Sequence, residues 1–306
     1  MGTPDYALFS LKALVESGED VIGVVTQPDK PKGRGYTLMP PPVKVYAAEK
    51  GIPVYQPTTL KDGAFLGELE MLNPDMIVVV AFGKILPKYV LDYPRYGCIN
   101  IHGSLLPKYR GAAPMQRAIM EGEKVSGVTS MYMAEGLDTG DMLLTEEVEI
   151  AEDDNFESVH DNLGAAGARV LLRTVEAAKR GELIPIKQDD SLATYAAKID
   201  KAECRIDFSV DVRTLYNRIR GLSPFPLSFT TLPNGKLMKI LKARYEITDI
   251  EGEYGKVVRA DKNGIAVKAG GGLIVFETVV PEGKKAQSAP DMVNGRQISV
   301  GDILGK

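Results

Sequence analysis

The run Asn100-Ile101-His102-Gly103-Ser104-Leu105-Leu106-Pro107 is the strongest local concentration of chemistry-bearing residue types in the chain. Alternate side chains of a strand share a face, so Asn100 and His102 point together while Ile101 points away. An amide donor beside an imidazole, followed by a Gly-Ser turn, pairs an oxyanion stabiliser with a general base. The spacing equally suits a strand-end Asn and His that satisfy nearby backbone groups. A second group, Glu135-Gly136-Leu137-Asp138-Thr139-Gly140-Asp141, sets carboxylates in a tight loop between two strands. Asp138 either orients His102 from there or closes an Asx-type turn. Asp-Thr-Gly occurs once, and an aspartic protease needs two such carboxylates. A third segment, Gln27 to Pro42, is a basic loop that follows a strand and carries Lys30, Lys32 and Arg34. It has no Walker spacing, and it suits either a grip on a nucleic-acid backbone or a solvated surface. His160 falls on a helix surface, and Cys98, inside an apolar strand, reads as core.

These residues must be held by elements, and the first two thirds of the chain alternate strand and helix. Gly2-Thr-Pro-Asp5 turns into a first helix, and Val21 to Thr26 is a short β-branched strand. Pro42–Lys50 and Leu60–Leu72 read as helices, Met76–Phe82 as a buried strand apolar on both faces, and Lys88–Asp92 as a short helix. The strand Gly97–His102 follows, then the strands Gly127–Met133 and Met142–Ile150, and a long amphipathic helix from Phe156 to Gly181. Alternation of this kind predicts a doubly wound, mostly parallel sheet whose carboxyl edge binds ligands. Residues 184–203 read as a polar linker, after which Ser209 caps a helix carrying Val212, Leu215 and Ile219. Turn signals at Pro233-Asn234-Gly235, Asn263-Gly264 and Gly270-Gly271-Gly272 then predict a small β-barrel over residues 204–306. A doubly wound domain opens with a strand in the middle of its sheet; none precedes Gly2 here, and the expectation is that native residues before Met1 are lacking.

Composition narrows the classes. The 306 residues are 44% hydrophobic and 25% charged, ordinary globular usage with no run long enough to span a bilayer. Two cysteines, Cys98 and Cys204, and two histidines leave neither a disulfide framework nor a multi-histidine metal centre, and a reducing cytoplasm is the expected location. The net charge of −4 is uneven: residues 1–200 hold 20 Lys and Arg against 29 Asp and Glu, a balance of −9, while residues 201–306 hold 17 against 12, a balance of +5. The last third thus has the charge to meet a polyanion.

Asn100-x-His102-Gly-Ser-Leu-Leu-Pro107, Arg110-Gly-Ala-Ala-Pro-Met-Gln-Arg117, Gly127-Val-Thr and Gly136-Leu-Asp138-Thr-Gly-Asp141 together resemble the 10-formyltetrahydrofolate-dependent formyltransferases. The similarity extends to Gly2-Thr-Pro-Asp5, Leu38-Met-Pro, Pro42-Val-Lys44, Ile219-Arg-Gly-Leu-Ser-Pro224 and Pro281-Glu-Gly-Lys-Lys-Ala286, nearly end to end, and within the family to the members acting on methionyl-tRNA. Phe225 stands where that family often has Trp.

The resemblance implies a Rossmann-like formyltransferase domain over 1–183 and a tRNA-binding, OB-like barrel over 204–306. It implies transfer of formyl from 10-formyltetrahydrofolate, as co-substrate, to the α-amino group of methionyl initiator tRNA, for translation initiation. His102 is then the base, Asp138 its partner and Asn100 the oxyanion donor, with direct transfer and no metal. Ser104, Leu105, Leu106 and Pro107 are expected to line the folate pocket, with Val80, Phe82 and Gly83 of the neighbouring strand end beside them. Lys30, Lys32 and Arg34 are expected to meet the tRNA acceptor end; a monomer with no membrane partner is expected. Two rivals remain: the same transfer to a glycinamide ribonucleotide or amino sugar nucleotide, and a non-catalytic RNA-binding protein. The basic last third speaks against the first, and the polar cluster at the strand ends against the second.

Overall fold

The computed structural model describes residues 1–32 and 37–306. The chain forms two compact units, each assembled from separate segments. The first comprises Met1–Gly111, Val125–Glu149 and His160–Ala196, and the second Ala112–Lys124, Ile150–Val159 and Ala197–Lys306. This division departs from the linear expectation of 1–183, 184–203 and 204–306. Most of the expected linker stays with the first unit, and two segments of the expected first domain belong to the second.

The first unit contains α1 (Asp5–Glu16), β1 (Val24–Val25), β2 (Lys30–Lys32), β3 (Thr37–Met39), α2 (Pro42–Glu49), β4 (Val54–Tyr55) and α3 (Leu66–Leu72). After these come β5 (Ile77–Val79), α4 (Lys88–Leu91), β6 (Cys98–His102) and β7 (Arg110–Gly111). Following α5 (Pro114–Met120), which belongs to the second unit, the chain returns as β8 (Val125–Tyr132) and β9 (Met142–Glu149), then α6 (Phe156–Arg180), whose first four residues belong to the second unit, and β10 (Tyr195–Ala196). The central sheet runs β5-β6-β8-β9. Strands β5 and β6 are parallel, whereas β8 pairs antiparallel with both β6 and β9, so the sheet is mixed. A connection as short as the one between β8 and β9 permits only an antiparallel pair.

Strand β6 is buried along its whole length. Cys98 joins Val25, Phe65, Val79, Phe82 and Val90 in one apolar cluster, where each large side chain contributes about 1.5–3 kcal/mol. On the opposite face, a Cβ on Gly167 of α6 would sit 3.1 Å from Ile101, so that helix lies directly against the strand. The single helix expected over Leu60–Leu72 is interrupted: Lys61–Gly63 is a 3₁₀ turn in which Asp62 and Gly63 take positive φ, and α3 starts afterwards.

Met1 and Gly2 lie between β1 and the end of β5. Gly2 N–H donates to the Val25 carbonyl (3.0 Å), and Val80 N–H donates to the Met1 carbonyl (2.9 Å). A cavity of 830 Å³ continues from there, lined by residues of Val21–Val25 and Asp75–Val78 among others.

The second unit adds α7 (Val212–Gly221), β11 (Ser228–Thr231), β12 (Leu237–Ile247), β13 (Val257–Asp261), β14 (Gly264–Ala269), β15 (Gly272–Pro281), β16 (Gln287–Ser288) and α8 (Ala289–Asn294). Helix α7 is capped by Asp211, whose Oδ1 accepts from the Arg213 and Thr214 amides; Ser209 instead donates its hydroxyl to Asp207. Leu215 and Ile219 of α7 enter a core with Met238, Ile240, Ile274 and Phe276. The strands form an antiparallel sheet ordered β11-β12-β15-β14-β13, with β16 on β15. The expected barrel is therefore an open sheet. Its two edges do not pair with each other because short chain segments occupy them, Arg205 bridging Phe229 of β11, and Ile303 bridging Lys256 next to β13.

Candidate active site

Asn100 and His102 leave β6 on the same face, as strand alternation requires, and are 8% and 6% exposed. The loop between β8 and β9 brings Asp138 to them. Its carboxylate Oδ2 lies 3.7 Å from His102 Nδ1, and Oδ1 accepts from Asn100 Nδ2 at 3.5 Å. The shortest bond to this carboxylate comes from the backbone, Gly111 N–H to Oδ2 at 2.8 Å. The amide, imidazole and carboxylate expected from sequence thus converge on one point at the carboxyl end of β6.

His102 Nε2 lies 2.9 Å from the Tyr109 carbonyl. A carbonyl only accepts, so the neutral ring carries its hydrogen on Nε2. Nδ1, facing Asp138 and Asn100, is left as the basic nitrogen. The tautomer is set by the backbone of Tyr109, and the carboxylate is placed to stabilise the imidazolium that forms when Nδ1 takes a proton.

The loop holding Asp138 is shaped by close approach. A Cβ on Gly140 would fall 1.7 Å from the Tyr132 carbonyl, so only glycine fits. Asp138 itself has φ 52°, the left-handed region that Asp tolerates better than most residues.

The turn after β6 is pinned by Thr129 of β8, whose hydroxyl accepts from the Leu106 amide (3.1 Å) and donates to the Ser104 carbonyl (2.8 Å). Ser104 Oγ donates to the Lys108 carbonyl at 2.7 Å, so its hydroxyl serves the turn. Ser104 and Leu106 are buried, while Leu105 and Pro107 are half-buried. At the neighbouring strand end, Val80 and Phe82 are buried and Gly83 is exposed. Phe82 packs into the apolar cluster behind the sheet, and its carbonyl accepts from Gln27 Nε2 (2.9 Å). Of this stretch, the accessible surface comes from Ala81, Gly83 and Ile85, the last 85% exposed. Burial pushes the Cys98 thiol up to about 12, which leaves it inert at neutral pH.

The basic segment is an antiparallel hairpin of β2 and β3, with Lys30 opposite Met39. Lys30 is exposed and donates to Gln27 Oε1 at 2.7 Å. Its base is tied down by Lys44, which donates to both Asp29 and Gln56. The side chain of Lys32 and the whole of Arg34 lie outside the described residues. Among the described residues, no three His, Cys, Asp or Glu side chains group as metal ligands, and no helix is long and apolar enough to cross a membrane.

Sequence reasoning assigned no role to the residues that hold this cluster in place, although Arg110, Gly111 and Thr129 fall within the motifs that carry the resemblance. Tyr109, Gly111 and Thr129 act through backbone or turn geometry. Gln188 and Arg110 are a buried pair contributed by the connector and by β7. Nothing marked Gln188, a single amide in a polar stretch without period.

Residues 2–175 match the formyl transferase family, and residues 198–297 match the formyl transferase C-terminal domain. The chain is 47% identical over 307 residues to the methionyl-tRNA formyltransferase of Bacillus velezensis, covering 100% of this chain and 96% of that protein. It is 48% identical to the methionyl-tRNA formyltransferase of Geotalea uraniireducens, covering 100% and 97%. Among solved structures, the sugar 3N-formyl transferase WlaRD, determined with dTDP and 5-N-formyl-THF, superposes with a TM-score of 0.66 at 20% identity, over 93% of this chain and 97% of that one. HypX from Aquifex aeolicus in complex with tetrahydrofolic acid gives 0.64 at 17% identity, over 92% and 48%.

Proposed function

The chain belongs to the formyl transferase family, and we propose that it transfers the formyl group of 10-formyltetrahydrofolate to the α-amino group of methionyl initiator tRNA. The observation that carries the chemistry is the convergence of Asn100, His102 and Asp138 at the end of β6, with Nδ1 the free basic nitrogen. Near-complete coverage of relatives that bear the tRNA enzyme's name supports the acceptor.

Each residue's part follows from its atoms. The co-substrate supplies the one-carbon group. His102 Nδ1 accepts the proton that the amine loses as its nitrogen bonds to the formyl carbon, Asp138 holds the resulting imidazolium, and that proton passes to N10 as the C–N10 bond breaks and tetrahydrofolate leaves. Asn100 Nδ2 donates to the oxygen on which negative charge develops. The turn Ser104–Pro107 and the strand end at Gly83 and Ile85 form the walls for the folate, offering a half-buried leucine and proline and an exposed isoleucine to an aromatic ring system. No protein nucleophile is required, since Ser104 is engaged in its turn and the Cys98 thiol is buried. Lys30, with Lys32 and Arg34, attracts the acceptor end, and the basic stretch 201–306 attracts other phosphates of the same tRNA. A charged tRNA substrate puts the place of action in the cytoplasm.

The test is release of the labelled one-carbon group from 10-formyltetrahydrofolate with charged initiator tRNA, with an amino sugar nucleotide, and with neither. Transfer only with charged tRNA supports the proposal. Transfer to the sugar nucleotide alone, or to nothing, overturns it.

A further inference from the structure

We propose that Gln188 and Arg110 form a brace that positions the Asp138 carboxylate toward His102; the assignment rests on the reaction proposed above. Gln188 is 5% exposed and uses its whole hydrogen-bonding capacity. Its Nε2 donates to the carbonyls of Asp138 (2.8 Å) and Gly140 (2.7 Å). Its Oε1 accepts from Arg110 Nε (3.0 Å) and Nη2 (2.8 Å). An amide so engaged has one orientation, and it fixes the main chain of the loop from inside the protein.

Arg110 closes the circuit. Its guanidinium is 2% exposed, and Nη2 also donates to Asp190 Oδ1 at 2.7 Å. Its two chain neighbours touch the reacting groups: the Tyr109 carbonyl accepts from His102 Nε2, and the Gly111 amide donates to Asp138 Oδ2. A continuous ring therefore runs from the Asp138 carboxylate through Gly111, the Arg110 side chain and Gln188 back to the Asp138 carbonyl. Strand β10 fastens the outer side, pairing Tyr195 with Arg110 and Ala196 with Gly111.

The neutral amide in the middle has a purpose. A guanidinium bonded directly to Asp138 would neutralise the carboxylate and weaken its pull on the imidazolium. Gln188 passes on position while keeping the arginine's charge a residue away. Both are positioning residues, acting through Asp138.

The test is a double-mutant cycle on the full-length protein. Gln188→Glu keeps an acceptor for Arg110 and removes both donors to the loop. We expect it to lower kcat for formyl transfer by about 10–100-fold while KM for folate and tRNA stays within about two-fold. In an Asp138→Asn background the same change should cost less than about two-fold, because there is no carboxylate left to position. Gln188→Met, similar in shape, provides a second variant. Equal losses in both backgrounds, or an unchanged kcat, overturn the brace. A readout free of catalysis accompanies them: in the unmodified protein the side-chain amide protons of Gln188 should exchange slowly with solvent by NMR, and fast exchange also overturns it. If the unmodified protein moves no formyl group, the functional reading falls while the amide exchange still judges the brace.

Discussion

A neutral imidazole has one hydrogen to give, and His102 gives it to a backbone carbonyl. In a triad whose carboxylate fixes the tautomer, losing that carboxylate turns the base around and costs about 10⁴ in turnover. Here the Tyr109 carbonyl fixes the tautomer, and in the proposed reaction Asp138 has the electrostatic part alone. The other histidine shows what an imidazole does outside the site. His160 is flanked by Asp5 (3.4 Å) and Asp161 (2.8 Å), with the rings of Tyr6 and Phe9 against it. The bond that its Nε2 donates to Asp5 raises its pKa above the ordinary value, burial opposes, and Asp161 adds to the rise. A folded-state value above the unfolded one gives stability that is fully present below the unfolded value of about 6.5 and is lost as pH rises through the folded value. Thermal melts of His160→Gln should accordingly show less loss of Tm than the unmodified protein as pH rises from about 6 to 8. Identical pH profiles would remove the ion pair from the account.

The elements explain which parts of the site were legible. Asn100 and His102 were legible because β6 is a buried strand, and a two-residue period places them together whatever surrounds it. Asp138 was legible as a carboxylate beside glycines in a loop between strands. Gln188 was not, because its value lies in distant partners brought by β7 and the β8–β9 loop, and local propensity carries no trace of them. The open sheet of the second unit was misjudged for a related reason: turn signals locate hairpins, but whether a sheet closes depends on what covers its edges, here residues near Arg205 and Ile303.

At the scale of the whole molecule, charge and chemistry are divided along the chain. The acidic first two thirds hold Asn100, His102 and Asp138, and the last third, at +5, has the charge that the proposed tRNA binding requires. Polyanion binding needs local rather than net positive charge, because each phosphate neutralised releases condensed counterions. Lys236 and Lys239 are exposed at the start of β12. Replacing both with glutamine should lower the magnitude of the slope of log KM for tRNA against log salt by about 1–2, with KM for folate unchanged. An unaltered slope would exclude these two lysines from the contact. If Asn100, His102 and Asp138 together transfer a formyl group to an aminoacylated tRNA, the turnover of Asn100→Ala will show it. Measured under saturating 10-formyltetrahydrofolate and charged initiator tRNA, the folded variant should turn over about 10²–10³-fold more slowly than the unmodified protein, with both KM values little changed. Turnover within a few-fold of the unmodified protein would contradict the account.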